Sequence, residues 1–138
     1  MRLFLDANIL FTAAHNPGGR AAALFALARQ GACTLLTSPH ALEEARRNLR
    51  LKYPGAAEAL EGLLADVAIE REAPPSVVTL ALGQGLPLKD APILAAAVQA
   101  RSDVLVTGDR THFGPLYGRS FEGVLVLSPA EALARLLE

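Results

Sequence analysis

Asp6, Glu44, Asp90 and Asp109 stand far apart along the chain, yet each occupies a place from which a carboxylate can do chemistry. Asp6 directly follows the apolar run Leu3-Phe4-Leu5, so it emerges where a buried strand ends, to function there or to cap the next helix. Asp109 repeats the arrangement after Val104-Leu105-Val106-Thr107, with Gly108 expected to let the backbone turn. Asp90 precedes Ala91-Pro92, and a proline in a first helical turn suits Asp90 to the N-cap, again at a helix start facing the carboxyl edge of a sheet. Glu43 and Glu44 share a helical pattern whose apolar positions are Ala41, Leu42, Ala45 and Leu49. A step of about 100° per residue sets Glu44 beside that stripe and Glu43 nearly opposite it. Glu43 therefore reads as a surface charge pairing with Arg47.

Carboxylates gathered at one edge repel and raise one another's pKa unless cations neutralise them, which calls for hard, oxygen-seeking Mg²⁺ or Mn²⁺. The 3 histidines and 1 cysteine are too few and too scattered for a zinc site. Acids that leave water positions open on a cation suit phosphodiester hydrolysis. One ion can activate the attacking water, and a second, about 3.5 to 4 Å away, can stabilise the leaving oxygen. Asn8 and Thr107 are accessory candidates that orient Asp6 and Asp109 or hold metal-bound water; the alternatives are a helix cap for Asn8 and a plain strand-end hydroxyl for Thr107. Lys89, Arg110 and His112 flank the acids at positions suited to a phosphate backbone, while Arg46, Arg47 and Arg50 make a basic helix surface.

The elements that must position these groups are legible as alternating patterns. Strands are expected at Arg2 to Leu5, Cys33 to Thr37, Asp66 to Ile69, Val104 to Thr107 and Val124 to Leu127. Helices are expected at Arg20 to Gln30, Pro39 to Lys52, Ala56 to Ala65, Asp90 to Arg101 and Pro129 to Leu137. Pro74 to Ser76, Gly83 to Pro87 and His112 to Arg119 read as surface turns. Apolar, non-alternating strands between helices mean an α/β fold: three α/β/α layers around a central, mostly parallel five-stranded sheet, with ligands beyond the carboxyl ends of the strands.

A chain of 138 residues fits one domain, 1–138, and buries about 65 to 70% of its unfolded surface. Half of the residues are apolar and aromatics are scarce, so the core is built from many aliphatic contacts. A net charge of −1 advertises no general polyanion-binding surface, so a nucleic acid must be gripped locally by a few Arg and Lys residues together with metal. The single cysteine, Cys33, sits in a strand-like stretch and reads as a small buried hydrophobe, which suits a reducing cytoplasm. No basic leader with a long apolar run opens the chain, and Ala91 to Ala100 is interrupted by Pro92 and Gln99, so no membrane partner is expected.

Leu5-Asp6-Ala7-Asn8, Leu42-Glu43-Glu44-Ala45-Arg46-Arg47-Asn48-Leu49, Lys89-Asp90-Ala91-Pro92-Ile93-Leu94-Ala95-Ala96-Ala97 and Leu105-Val106-Thr107-Gly108-Asp109-Arg110, in that order, resemble the PIN-domain family over nearly the whole chain. The resemblance implies a helix-sandwiched sheet, a Mg²⁺- or Mn²⁺-dependent ribonuclease acting on RNA, and frequent use as the toxin of a bacterial toxin–antitoxin pair. An antitoxin protein and a homodimer or higher homo-oligomer are the partners expected with it. Carried over by position, the acids are Asp6, Glu44, Asp90 and Asp109; some relatives have a further acid where this chain has Thr111, which leaves open whether one ion or two are held.

Two other readings compete. A haloacid-dehalogenase-like phosphatase would use Asp6, Thr37 or Ser38, Lys89 and Asp109, but the second acid of its Asp-x-Asp signature is here Asn8, which removes its general acid. A non-catalytic RNA- or protein-binding module of the same fold would keep the acids only as caps and turn residues.

Overall fold

Apolar strands with no polar alternation need cover on both faces, and β1 (Arg2–Leu5) has it, deep inside a six-stranded sheet. The computed structural model describes residues 1–138. The other strands are β2 (Thr34–Thr37), β3 (Val67–Ile69), β4 (Val104–Val106), β5 (Ser120–Phe121) and β6 (Val124–Leu127), in spatial order β3-β2-β1-β4-β6-β5. Every pairing is parallel except that of β5 with β6.

β5 adds one strand to the five expected. It is two residues long, too short for a periodic signal, and exists because Glu122 and Gly123, at φ 48° and 85°, close a tight hairpin back onto β6. Paired left-handed residues form the turn whose twist matches antiparallel strands.

Seven helices cover the sheet: α1 (Ala7–His15), α2 (Arg20–Arg29), α3 (Pro39–Lys52), α4 (Ala57–Leu63), α5 (Pro75–Leu82), α6 (Ala91–Gln99) and α7 (Pro129–Leu136). Five match expected helices closely; α1 and α5 are additional. α5 begins where a turn was expected, because Pro75 occupies the first helical turn, where its missing N–H is harmless. The path β1-β2-β3 runs one way across the sheet and β3-β4 runs back. Right-handed crossovers therefore place α1 to α4 on one face and α5 and α6 on the other. α1 packs against α2, α3 and α4, while α5 packs against α6.

Leu3, Phe4, Leu5, Leu35, Leu36, Val104, Leu105 and Val106 fill the sheet's interior, and Ala95, Ala96 and Ala97 let α6 lie close upon it. Truncating a strand residue such as Leu5 to Ala costs about 2 to 5 kcal/mol, because the cavity it leaves collapses only in part. The chain reverses its lateral direction at β1 and β4, so the crevice of this sheet opens beyond their carboxyl ends.

Candidate active site

The pairing of Leu5 with Val106 carries Asp6 alongside Thr107, and the Asp6 backbone N–H donates to the Val106 carbonyl at 3.0 Å. Asp6 is only 3% exposed. Its Oδ1 accepts from the Ala7 backbone at 2.7 Å, which makes Asp6, and not Asn8, the N-cap of α1. Its Oδ2 accepts from the Thr107 hydroxyl at 2.7 Å and from Asn8 Nδ2 at 3.0 Å. Burial pushes the Asp6 carboxyl up to about 6; the Thr107 and Ala7 bonds pull the other way, and the charges of Glu44 and Asp90 raise it further.

Asn8 also accepts from the Gly108 backbone N–H at 2.7 Å, tying the ends of β1 and β4 together. Gly108 follows β4 without a left-handed φ. A Cβ there would stand 3.4 Å from the Asn8 amide oxygen, in van der Waals contact with it.

Asp90 stands at the N-cap position of α6, as expected, and is 5% exposed, but its side chain makes no capping hydrogen bond. Its Oδ2 is buried without a hydrogen bond, with His112 Nδ1 nearby at 3.1 Å. Burial raises the Asp90 carboxyl, with contributions from Asp109 and Glu44; Lys89 and His112 oppose them. Asp109 behaves differently. Burial raises it, but the backbone N–H and ring of His112 and the backbone N–H of Thr111 outweigh that and hold it below the ordinary range. Its Oδ1 accepts from the Thr111 and His112 backbones at 3.0 Å each, which turns Oδ2 toward the His112 ring at 2.9 Å.

Asp90, Asp109 and His112 thus form a tight group with one donor atom from each lying within 4.8 Å of the others. Asp6 and Glu44 stand outside it, yet near enough for Glu44 to raise both Asp6 and Asp90. Glu44 is half-buried on α3, whereas Glu43 is exposed and pairs with Arg50 at 3.7 Å, not with Arg47. Arg46 is likewise engaged, by Glu61 at 2.8 Å, so the basic surface of α3 is partly neutralised.

Lys89 and Arg110 are exposed and make no ion pairs. The Lys89 carbonyl accepts from the His40 ring at 2.9 Å, which anchors the segment before Asp90 to the first turn of α3. Arg110 lines a cleft of about 510 Å³ that opens from Asn8 and Gly108 toward Arg20 and Tyr117. Tyr117 donates to the Thr107 carbonyl at 2.8 Å.

His40 and Tyr117 escaped sequence reasoning, and His112 was read only as a phosphate contact. The three-residue spacing of Asp109 and His112 in a Gly- and Pro-rich turn was the available signal for the last. The hydroxyls a phosphatase would need are committed elsewhere. Thr37 donates to the Leu5 carbonyl at 2.9 Å, and Ser38 caps α3, both fully buried.

Buried carboxylates and an unbonded Asp90 oxygen are the donor set that a hard divalent cation fits. A doubly wound, mostly parallel sheet with such acids beyond the ends of its inner strands defines a class of α/β domain whose chemistry lies at the topological switch point. The family model of the PIN domain matches residues 2–111, and the chain belongs to that family.

Solved structures share the fold. PAE2754 from Pyrobaculum aerophilum has a TM-score of 0.70 at 20% identity, covering 99% of this chain and 96% of its own. VapBC2 from Rickettsia felis, solved with a fragment of promoter DNA, scores 0.66 at 18% identity, with coverages of 93% and 98%. VapC20 from Mycobacterium tuberculosis, described as a sarcin–ricin loop cleaving toxin, scores 0.56 at 16% identity, with coverages of 79% and 91%. No curated protein matches the chain. No helix is long and apolar enough to cross a membrane.

Proposed function

We propose that this PIN domain is a divalent-metal-dependent ribonuclease that hydrolyses RNA phosphodiester bonds, with Asp6, Glu44, Asp90 and Asp109 as its working acids and Mg²⁺ or Mn²⁺ as cofactor. The observation that carries the reading is electrostatic. Glu44 and Asp90 raise Asp6, Asp109 and Glu44 raise Asp90, and none of the four acids is paired with an arginine or lysine side chain. A cation bound among them supplies the missing positive charge and polarises phosphate and water.

The protein's own groups have separable tasks. Thr107 and Asn8 hold Asp6 at a set angle, and the Thr111 and His112 backbones do the same for Asp109. Lys89 and Arg110, unpaired at the rim, are free to hold phosphates on either side of the scissile bond.

The role of toxin in a toxin–antitoxin pair is supported by the fold shared with VapBC2 and VapC20, and it brings an antitoxin partner and a homodimer or higher homo-oligomer into the proposal. The deciding experiment incubates a mixed RNA panel with Mg²⁺, Mn²⁺ or EDTA and follows melting in parallel. Cleavage that needs metal is the expected result. At Mn²⁺ about 100-fold above its Kd, mass action adds ~2.7 kcal/mol, roughly 10 °C in Tm for a domain of this size. Equal melting with Mn²⁺ and with chelator, and no cleavage, would favour a non-catalytic binding module.

A further inference from the structure

We infer that His112 is a direct ligand of the cation, making a mixed nitrogen–oxygen site that prefers first-row transition dications such as Mn²⁺ or Co²⁺ over Mg²⁺. The inference rests on the proposal that the acids hold a divalent cation, and it adds a donor atom and a metal preference to it.

Three observations converge. His112 Nδ1 lies 2.9 Å from Asp109 Oδ2 and 3.1 Å from Asp90 Oδ2, so the imidazole nitrogen stands between the two carboxylates. Neighbouring donors on a six-coordinate cation with bonds of about 2.1 Å are separated by about 3.0 Å, so these atoms already have the spacing of adjacent corners. Asp90 Oδ2 is buried, has no hydrogen bond, and belongs to a side chain more than nine-tenths buried; such an atom is costly unless something positive completes it.

The backbone supports the arrangement. Asp109 Oδ1 accepts from the Thr111 and His112 N–H groups, which sets Asp109 and the root of His112 in one turn and leaves Oδ2 and Nδ1 as a pair of donors. With its proton on Nε2, the ring offers Nδ1 as a lone pair. The His112 side chain is 34% exposed, and no protein hydrogen bond claims Nε2. Imidazole binds transition metals far better than Mg²⁺, which favours oxygen and water.

The other two histidines cannot substitute. The His40 ring is bonded to the Lys89 carbonyl, and His15 is stacked on Tyr53 at 4.3 Å.

The test compares wild type with His112→Asn. An asparagine amide can still donate to Asp109 from the position of Nδ1 but offers no ligating nitrogen, so a purely positioning role survives the change. Calorimetric titration should show Mn²⁺ and Co²⁺ binding weakened about tenfold or more, with Mg²⁺ binding changed less than about threefold. Equal loss for all three metals, or none for any, overturns the inference. Pulsed EPR of Mn²⁺ bound to wild type reads the same bond without a variant: nitrogen coupling is expected, and its absence overturns the inference even if His112→Asn fails to fold. Wild type that binds no divalent ion would remove the metal reading itself. Wild type that binds Mn²⁺ without nitrogen coupling leaves that reading standing and removes only His112.

Discussion

Acids occur in this molecule in two settings, and the same side chains behave in opposite ways. On the outer face of α3 and α4, Arg46 holds Glu61 at 2.8 Å and Arg50 reaches Glu43 at 3.7 Å; the Arg46 hydrogen bond lowers the Glu61 carboxyl, and Arg46 itself is raised. At the carboxyl edge of β1 and β4, Asp6 and Asp90 are raised, first by burial and then by neighbouring acids. Solvent screens the first group and arginines neutralise it, so its cost to folding is small. The second group is held unneutralised in a low dielectric, an arrangement that weakens the fold unless a cation is bound. The difference separates charges that solvent and arginines neutralise from charges left buried at the edge where the proposed chemistry lies.

The sharpest way to break this contrast is Asp6→Asn. RNA cleavage should fall by about 10³-fold, since one acid that neutralises and positions the cation is lost. The circular dichroism spectrum should be unchanged. Residual cleavage above a tenth of wild type would move Asp6 out of the working set.

The next largest effect is on pH dependence without metal. Asp6 binds its proton more tightly folded, at about 6, than at its ordinary 3.8. Its favourable contribution is therefore full below the ordinary value and is lost as pH rises through about 6. The difference is on the order of 3 kcal/mol. Asp109, held low, has the opposite sign and loses its contribution only as pH falls below the ordinary range. Urea midpoints in EDTA should thus decline between about pH 4 and pH 7. A flat profile would contradict the burial of charge at this edge, and saturating Mn²⁺ should reverse the slope.

A smaller effect is expected from Thr107→Val, which keeps the shape and removes the donor to Asp6 Oδ2. Loss of such a bond to a carboxylate is worth about 1.5 to 3 kcal/mol, and cleavage should fall about tenfold. The acidic limb of the pH–rate profile should move upward, and an unmoved limb would argue against control of Asp6 by Thr107. Smallest of all, Glu43→Gln should change stability by under about 0.5 kcal/mol and leave cleavage intact, as the pair with Arg50 is exposed on both sides. A larger loss would show that the outer acids are not merely solvated.

Local pattern determined much of this protein before any fold was known. Unbroken apolar runs marked five of six strands, proline and glycine punctuation marked α3 within its observed ends, and the helical period separated Glu44 from Glu43. Each of these is a property of neighbouring residues, so the sequence could hold it alone. β5 exists only because a hairpin folds it onto β6, and α5 follows a proline that reads equally well as a turn. The tertiary structure alone decided that the Asp90 side chain caps nothing and leaves an oxygen unbonded, and that His112 turns inward between two acids. Those outcomes depend on where a right-handed crossover delivers segments far apart in the chain, and the interactions that fix them have no counterpart between sequence neighbours.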